Sequence, residues 1–180
     1  GNYITDEAVL RRTFSQYEGA LYNKVAIDKS IQRLNNTGYI KTADCTPELV
    51  TGHAVVDLNC HIEEQLTSIL TGEMGFSDKE GFLYGFNYTQ NNFLGTGNSI
   101  ALEFRRSEEE KNFRIYHNWP HFTADGVGAN ISAYYKRTTP SRVNISSYHT
   151  DNVGASLGLL WPLTEYGTLS PSIGFEHIQV

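Results

Sequence analysis

The chain is 180 residues long, 39% hydrophobic and 19% charged, enough to bury a core in one ordinary domain or two small ones and too apolar for a disordered tail. With 14 Lys and Arg against 20 Asp and Glu, its formal charge is −6, which offers no basic footprint to a nucleic acid backbone. Eleven Tyr, nine Phe, two Trp and sixteen Gly against a single Met favour strands and tight turns over helical bundles. No run of about 18 apolar residues could cross a membrane as a helix, and no charged-then-apolar leader opens at Gly1, so strands are the only spanning element expected.

In chain order, Asn2 to Ile4 fit a short first strand. Helical spacing follows: Val9, Leu10, Thr13, Phe14 and Tyr17 line one face, then Ile27, Ile31 and Leu34 another. The first helix has Thr5 or Asp6 as cap, Glu7 in its first turn and a stop at Glu18-Gly19; the second starts after Asn23 and ends at Asn36-Thr37-Gly38. From Tyr39 the period changes to two. Ala43 and Cys45 alternate with Thr42 and Asp44, and Val56, Leu58, Cys60 and Ile62 alternate with Asp57, Asn59 and His61. Residues 1 to 65 are therefore expected to be β-α-α-β-β, a small sheet with two helices on one face. A turn near residues 52 and 53 sets Cys45 opposite Cys60 on the inward face, either as a cross-strand disulfide or as two buried thiols. A disulfide would require an oxidising compartment, and the pair lacks the C-x-x-C spacing of a zinc or redox site.

From Thr67 to Val180 alternation runs almost without pause, giving seven strands: Leu70 to Phe76, Phe82 to Thr89, Ser99 to Phe104, Phe113 to His117, Val127 to Tyr135, Val153 to Trp161 and Leu169 to Glu176. Phe82, Tyr84, Phe86 and Tyr88 share one face, with Leu83, Gly85, Asn87 and Thr89 on the other. One face is apolar and aromatic throughout, and the opposite face is small, polar or glycine and poor in Lys. A soluble sandwich would carry Lys, Glu and Thr in quantity on its outer face. Strands of about ten residues joined by tight turns and longer polar loops instead fit an antiparallel transmembrane β-barrel, with Phe82, Tyr84, Phe86 and Tyr88 facing lipid. A soluble barrel or sandwich remains the alternative.

Several stretches resemble the BamA family of outer-membrane β-barrel assembly proteins. They are Glu18-Gly19 after a helix bearing Arg11 and Arg12, Gln32-Arg33-Leu34 followed by Gly38-Tyr39, the segment Asn91-Asn92-Phe93-Leu94-Gly95-Thr96-Gly97-Asn98, and the segment Pro120-His121-Phe122-Thr123-Ala124-Asp125-Gly126-Val127. The resemblance covers nearly the whole chain in order. It implies that residues 1 to 65 are the last periplasmic POTRA domain and residues 67 to 180 the first part of an outer-membrane barrel. The expected fold class is thus an α+β POTRA domain followed by antiparallel all-β transmembrane strands, an incomplete barrel of about seven strands. Taken by themselves, Gly95, Thr96 and Gly97 fit a tight hairpin turn, and Asp125-Gly126 another.

The family's closing half has no counterpart here, so the chain is expected to be a fragment that self-associates through open strand edges or takes up detergent on its aromatic face. The implied function is folding and insertion of β-barrel proteins into the Gram-negative outer membrane by strand-edge templating. The implied partners are unfolded outer-membrane protein clients, accessory lipoproteins and the lipid bilayer. Leu70, Gly72, Met74, Gly75 and Phe76 map onto the seam strand expected to pair with clients; Gly72 and Gly75 either loosen that strand or merely adjoin its turns. Glu18, with Arg11 and Arg12 beside it, is the expected contact for a lipoprotein. A related secretion pore exporting a protein partner, and a soluble β-rich binding domain, are the competing functions.

An enzyme is not expected. His53, His61, His117, His121, His149 and His177 lack metal-ligand spacing, so neither metal nor cofactor is implied. Glu108-Glu109-Glu110-Lys111 fits a solvated loop between strands. No nucleophile elbow or phosphate-cradling loop is present.

Overall fold

The computed structural model describes residues 3–52, 55–78, 80–139, 149–164 and 167–180. Asn2 and His53, each part of an expected element, lie outside them. The chain divides into two compact units, residues 1–67 with 91–97, and residues 68–90 with 98–180.

In the first unit, α1 (Glu7–Arg11) and α2 (Lys24–Asn35) precede an antiparallel pair, β1 (Ile40–Leu49) and β2 (Val56–Glu64). Leu10, Leu34, Ile40, Ala43 and Ile62 form its core, with Phe14 and Tyr39 packed against them. The α2 helix begins and ends where its sequence directs. The Asn23 side chain accepts from the N–H groups of Val25 and Ala26, and Gly38 adopts φ +82° just past the last turn. A bulge in β1 between Ile40 and Thr42 lets the Ala43 N–H reach the Asn35 side chain at 2.8 Å, tying the end of α2 to the strand.

Two expectations need correction. The first helix stops at Arg11, not at Glu18, because polar side chains capture the backbone beyond it. Ser30 Oγ accepts from the Ser15 N–H at 2.9 Å and donates to the Ala26 carbonyl at 2.7 Å. The Gln16 amide accepts from the Asn23 N–H and donates to the Leu21 carbonyl. Tyr17 consequently stands 77% exposed, and Ser30, which periodicity did not select, is fully buried on the face of α2.

Nor do Tyr3 and Ile4, the described residues of the expected first strand, form one. Their N–H groups and that of Thr5 converge on the Glu64 carboxylate at 2.7, 3.0 and 2.7 Å. Partial burial alone would raise the pKa of Glu64, but these donors and the Thr5 hydroxyl outweigh it and hold the carboxyl at about 2. Its folded pKa therefore lies below the ordinary value of 4.5. The stabilisation it contributes is complete above that value and is lost as pH falls towards 2.

The second unit is one antiparallel sheet. Its strands are β3 (Ser68–Ser77), β4 (Gly81–Phe93), β5 (Asn98–Arg106), β6 (Glu110–Trp119), β7 (Gly128–Thr138), β8 (Thr150–Thr164), β9 (Gly167–Leu169) and β10 (Ser172–Gln179). Neighbours follow chain order from β3 to β8, and β8 then pairs with both β9 and β10. The single expected last strand is thus two pieces in one register, Leu169 facing Trp161 and Ser172 facing Gly158. Pro171, which has no N–H to give the ladder, sits in the gap and accepts from the Leu159 N–H through its carbonyl. Among the described residues the sheet does not close: β3 forms one edge and β10 the other.

Lowering the pH from 5 to 2 should progressively release Tyr3 to Thr5 from β2, and Glu64→Gln should flatten that dependence. A carboxyl titration of Glu64 by NMR checks it, and a midpoint near 4.5 would show that the three donors do not hold the folded-state charge.

Candidate functional site

Strand alternation and register decide which side chains share a face. Phe76, Met74 and Leu70 of β3 oppose Phe82, Tyr84 and Tyr88 of β4. Phe104 of β5 joins this face, its ring centroid 6.1 Å from that of Tyr84 and 5.6 Å from that of Phe86. The same face continues through the cross-strand row Phe113, Tyr135 and Val153, and ends with Ile173 and Phe175 on β10. Phe82, Tyr84 and Phe86 are 49%, 39% and 42% exposed. No helix or second sheet covers them among the described residues. An exposed aromatic face of this extent would be a liability in water.

The opposite face is wet. Arg105 lies 3.8 Å from Glu73 and 3.5 Å from Glu80, Arg114 lies 3.6 Å from Glu103, and the Tyr134 hydroxyl donates to Glu176 at 2.8 Å. The ion pairs are partly or largely exposed and contribute at most about 1 kcal/mol each. Their significance is that these charges share one side, whereas the ion pair of Arg137 and Asp151, at the ends of β7 and β8, lies on the same side as Tyr135 and Val153. Glycine on this face makes room for larger neighbours: a Cβ at Gly154 would come within 2.3 Å of the Tyr134 ring, and one at Gly158 within 2.7 Å of Asn130.

Of the expected pairing residues, Leu70, Gly72, Met74, Gly75 and Phe76 all lie on β3. The ladder to β4 runs unbroken from Ser68 opposite Gln90 to Ser77 opposite Gly81, so neither glycine interrupts the strand. On its other side β3 pairs with no strand among the described residues, leaving alternate N–H and C=O groups at an open edge. Leu70, Met74 and Phe76 are exposed on the aromatic face, and Gly75 lies on the wet one, beside Leu83.

The expected partner-contact cluster divides. Arg11 bonds both Glu7 and Glu18, and the Glu18 side chain stays largely exposed. Arg12 takes another direction, its Nη2 donating to the Thr96 carbonyl at 3.2 Å. Cys45 faces Cys60 in the β1–β2 register and the two are joined as a disulfide. They were expected on the inward face. They share a face with the core side chains Ala43 and Ile62, but lie beyond the covered part of the sheet, so that Cys45 is half-buried and Cys60 exposed.

The stretch Gly95-Thr96-Gly97 in segment 91–97 was expected to be a plain hairpin turn. It is a turn, but one packed into the first unit. Asn92 and Leu94 adopt φ +56° and +53°, with Gly95 at +77° and Gly97 at +75°. A Cβ on Gly95 would fall 2.0 Å from the Ile4 carbonyl oxygen, and one on Gly97 would fall 2.9 Å from Val9. Only glycine permits both the backbone angles and the approach. Asn92, 5% exposed, was quoted above only as part of a resembling segment, and no role was assigned to it.

A small α/β unit followed by a two-faced antiparallel sheet is the plan of a POTRA domain with barrel strands. The family description Omp85 superfamily domain matches residues 92–180, and a POTRA description, Surface antigen variable number repeat, matches residues 1–65. The outer membrane protein assembly factor BamA of Neisseria meningitidis serogroup B is 32% identical across all of this chain, and that of Buchnera aphidicola subsp. Acyrthosiphon pisum is 24% identical across 98% of it. The chain spans 23% and 29% of the lengths of these two relatives. The crystal structure of BamA from Haemophilus ducreyi lacking POTRA domains 1-3 superposes with a TM-score of 0.79 and 28% identity, over 97% of this chain and 33% of that one. The chain belongs to the BamA family of the Omp85 superfamily. Its place is the bacterial outer membrane, with its POTRA portion on the periplasmic side.

Proposed function

We propose that residues 1–65 are the last periplasmic POTRA domain and residues 67–180 the first barrel strands of a protein that folds and inserts β-barrels into the outer membrane. It works by templating and catalyses no covalent reaction. The observation that carries this reading is the geometry of β3, which has a regular ladder on one side and pairs with no strand on the other among the described residues. An unpaired edge offers main-chain N–H and C=O groups to an incoming strand, and such bonding supplies affinity without demanding a particular client sequence. Leu70, Met74 and Phe76 would place the client's apolar side chains on the face that meets lipid, while Gly72 and Gly75 present little bulk to a neighbouring strand.

A photocrosslinker placed along Leu70 to Phe76 in the full-length protein is expected to capture nascent outer-membrane proteins. The same group on β6, in the middle of the sheet, is expected to capture none. Absence of adducts along β3 during active assembly would contradict templating at this edge.

Glu18 supports a second element of the proposal, contact with an accessory lipoprotein. Its carboxylate is exposed and pairs with the exposed Arg11, so a cation on the partner could take its place. Arg12 belongs instead to the turn at Thr96. Charge reversal, Glu18→Lys, is expected to weaken lipoprotein binding about fivefold, the scale of one exposed ion pair, as measured by titration with the purified full-length protein. An unchanged Kd would remove Glu18 from the contact.

A further inference from the structure

We propose that Asn92 is the positioning residue of a polar clasp that fixes the root of β3, so that its free edge is presented in a single register. The inference rests on β3 as the pairing edge and adds what holds that edge in place.

Asn92 uses both ends of its amide. Nδ2 donates to Thr5 Oγ1 at 2.7 Å, and Oδ1 accepts from the Gly97 N–H at 2.7 Å. Its carbonyl also accepts from the Gly95 N–H at 3.1 Å. Around it, the Asp6 N–H donates to the Gly95 carbonyl at 2.9 Å and Arg12 donates to Thr96. Thr5 belongs to the segment captured by Glu64 at the end of β2. Thr67, the residue before β3, donates its hydroxyl to the carbonyl of Asn91. The bonds therefore join the end of β2, the segment before α1, the end of β4 and Thr67, the residue from which β3 continues.

The turn's own conformation is costly. Left-handed backbone is tolerable for Asn but unfavourable for Leu94. Such a turn persists where tertiary bonds over-determine it, and here they come from Thr5, Asp6 and Arg12. Glycine at Gly95 and Gly97 admits the close approach that these bonds require. With Asn91 and Asn92 held, the first β3–β4 pair, Ser68 opposite Gln90, follows immediately, and the ladder has a fixed starting point. A one-residue slip would exchange the apolar and wet faces of β3.

Asn92→Gly isolates the side chain, because glycine keeps the left-handed backbone while losing both amide bonds. The measurement is hydrogen exchange on the full-length protein in lipid nanodiscs without client. The clasp predicts exchange about tenfold faster at Gly97 and at Ser68 to Leu70, the scale of a lost buried hydrogen bond, with β6 to β8 unchanged. Asn92→Asp, which retains the acceptor for Gly97, should restore much of the protection at Gly97. Thr67→Val should accelerate Ser68 to Leu70 and leave Gly97 protected. If Gly97 accelerates in Asn92→Gly while Ser68 to Leu70 do not, the bonds hold only the turn and the proposal fails. If Gly97 itself is unchanged, Asn92 holds nothing. Should Asn92→Gly not fold, Thr67→Val with unchanged exchange at Ser68 to Leu70 is equally decisive against it. Because no client is present, these results stand apart from the crosslinking outcome.

Discussion

An antiparallel ladder satisfies backbone hydrogen bonding between strands and sends successive side chains to opposite sides. In hydrocarbon, where no water can satisfy an open N–H or C=O, a strand can cross only as part of such a ladder. The strands between β3 and β10 meet this constraint, each being paired on both sides, and the sheet's period of two separates chemistry. Phenyl, phenol and aliphatic groups collect on one side, while Glu73, Glu103, Arg105, Arg114 and Glu176 collect on the other. Strands of about 9 to 11 residues are long enough to cross the hydrocarbon layer when tilted, and β3, β5, β6 and β7 fall in that range.

The first unit is organised by a different balance. Its apolar core is small, and polar side chains direct the backbone around it. Glu64 gathers three N–H groups, Ser30 and Gln16 shape the connection between the helices, and Asn35 fastens the bulge of β1. Each bond is modest in net terms, of the order of 1 kcal/mol, but leaving a buried partner unsatisfied costs more. Such networks therefore specify conformation more than they add stability. The disulfide acts where the core does not reach, holding β1 to β2 beyond Ala43 and Ile62.

What the sequence made legible follows from this division. Alternation located the strands because a two-faced sheet writes its period into the chain, and the register then placed Phe82 beside Phe76 without further information. The α2 boundaries were legible because Asn23 and Gly38 carry their own local chemistry. The early end of α1 was not, since the competing partner for Ser15, Ser30, lies fifteen residues away. The segment from Asn2 to Ile4 looked strand-like for the same reason: the acceptor that captures Tyr3 and Ile4 is on β2. Pro171 was the available signal for dividing the last strand. In Asn91-Asn92-Phe93-Leu94-Gly95-Thr96-Gly97 the glycines announced a turn, but nothing local reveals that Asn92 bonds a threonine eighty-seven residues earlier. For the proposed pairing edge, sequence could name the strand, while its regularity through Gly72 and Gly75 required the ladder itself.

The central claim is that the aromatic face of the sheet meets lipid and the charged face meets water. The most direct measurement places a fluorophore singly at each position from Phe82 to Thr89 in the full-length protein in bilayers and compares quenching by a lipid-dissolved and a water-dissolved agent. The account predicts a strict alternation, with positions 82, 84, 86 and 88 quenched from the lipid and positions 83, 85, 87 and 89 from water. Lipid quenching that is uniform along the strand, or that falls on the odd-numbered positions, would contradict it.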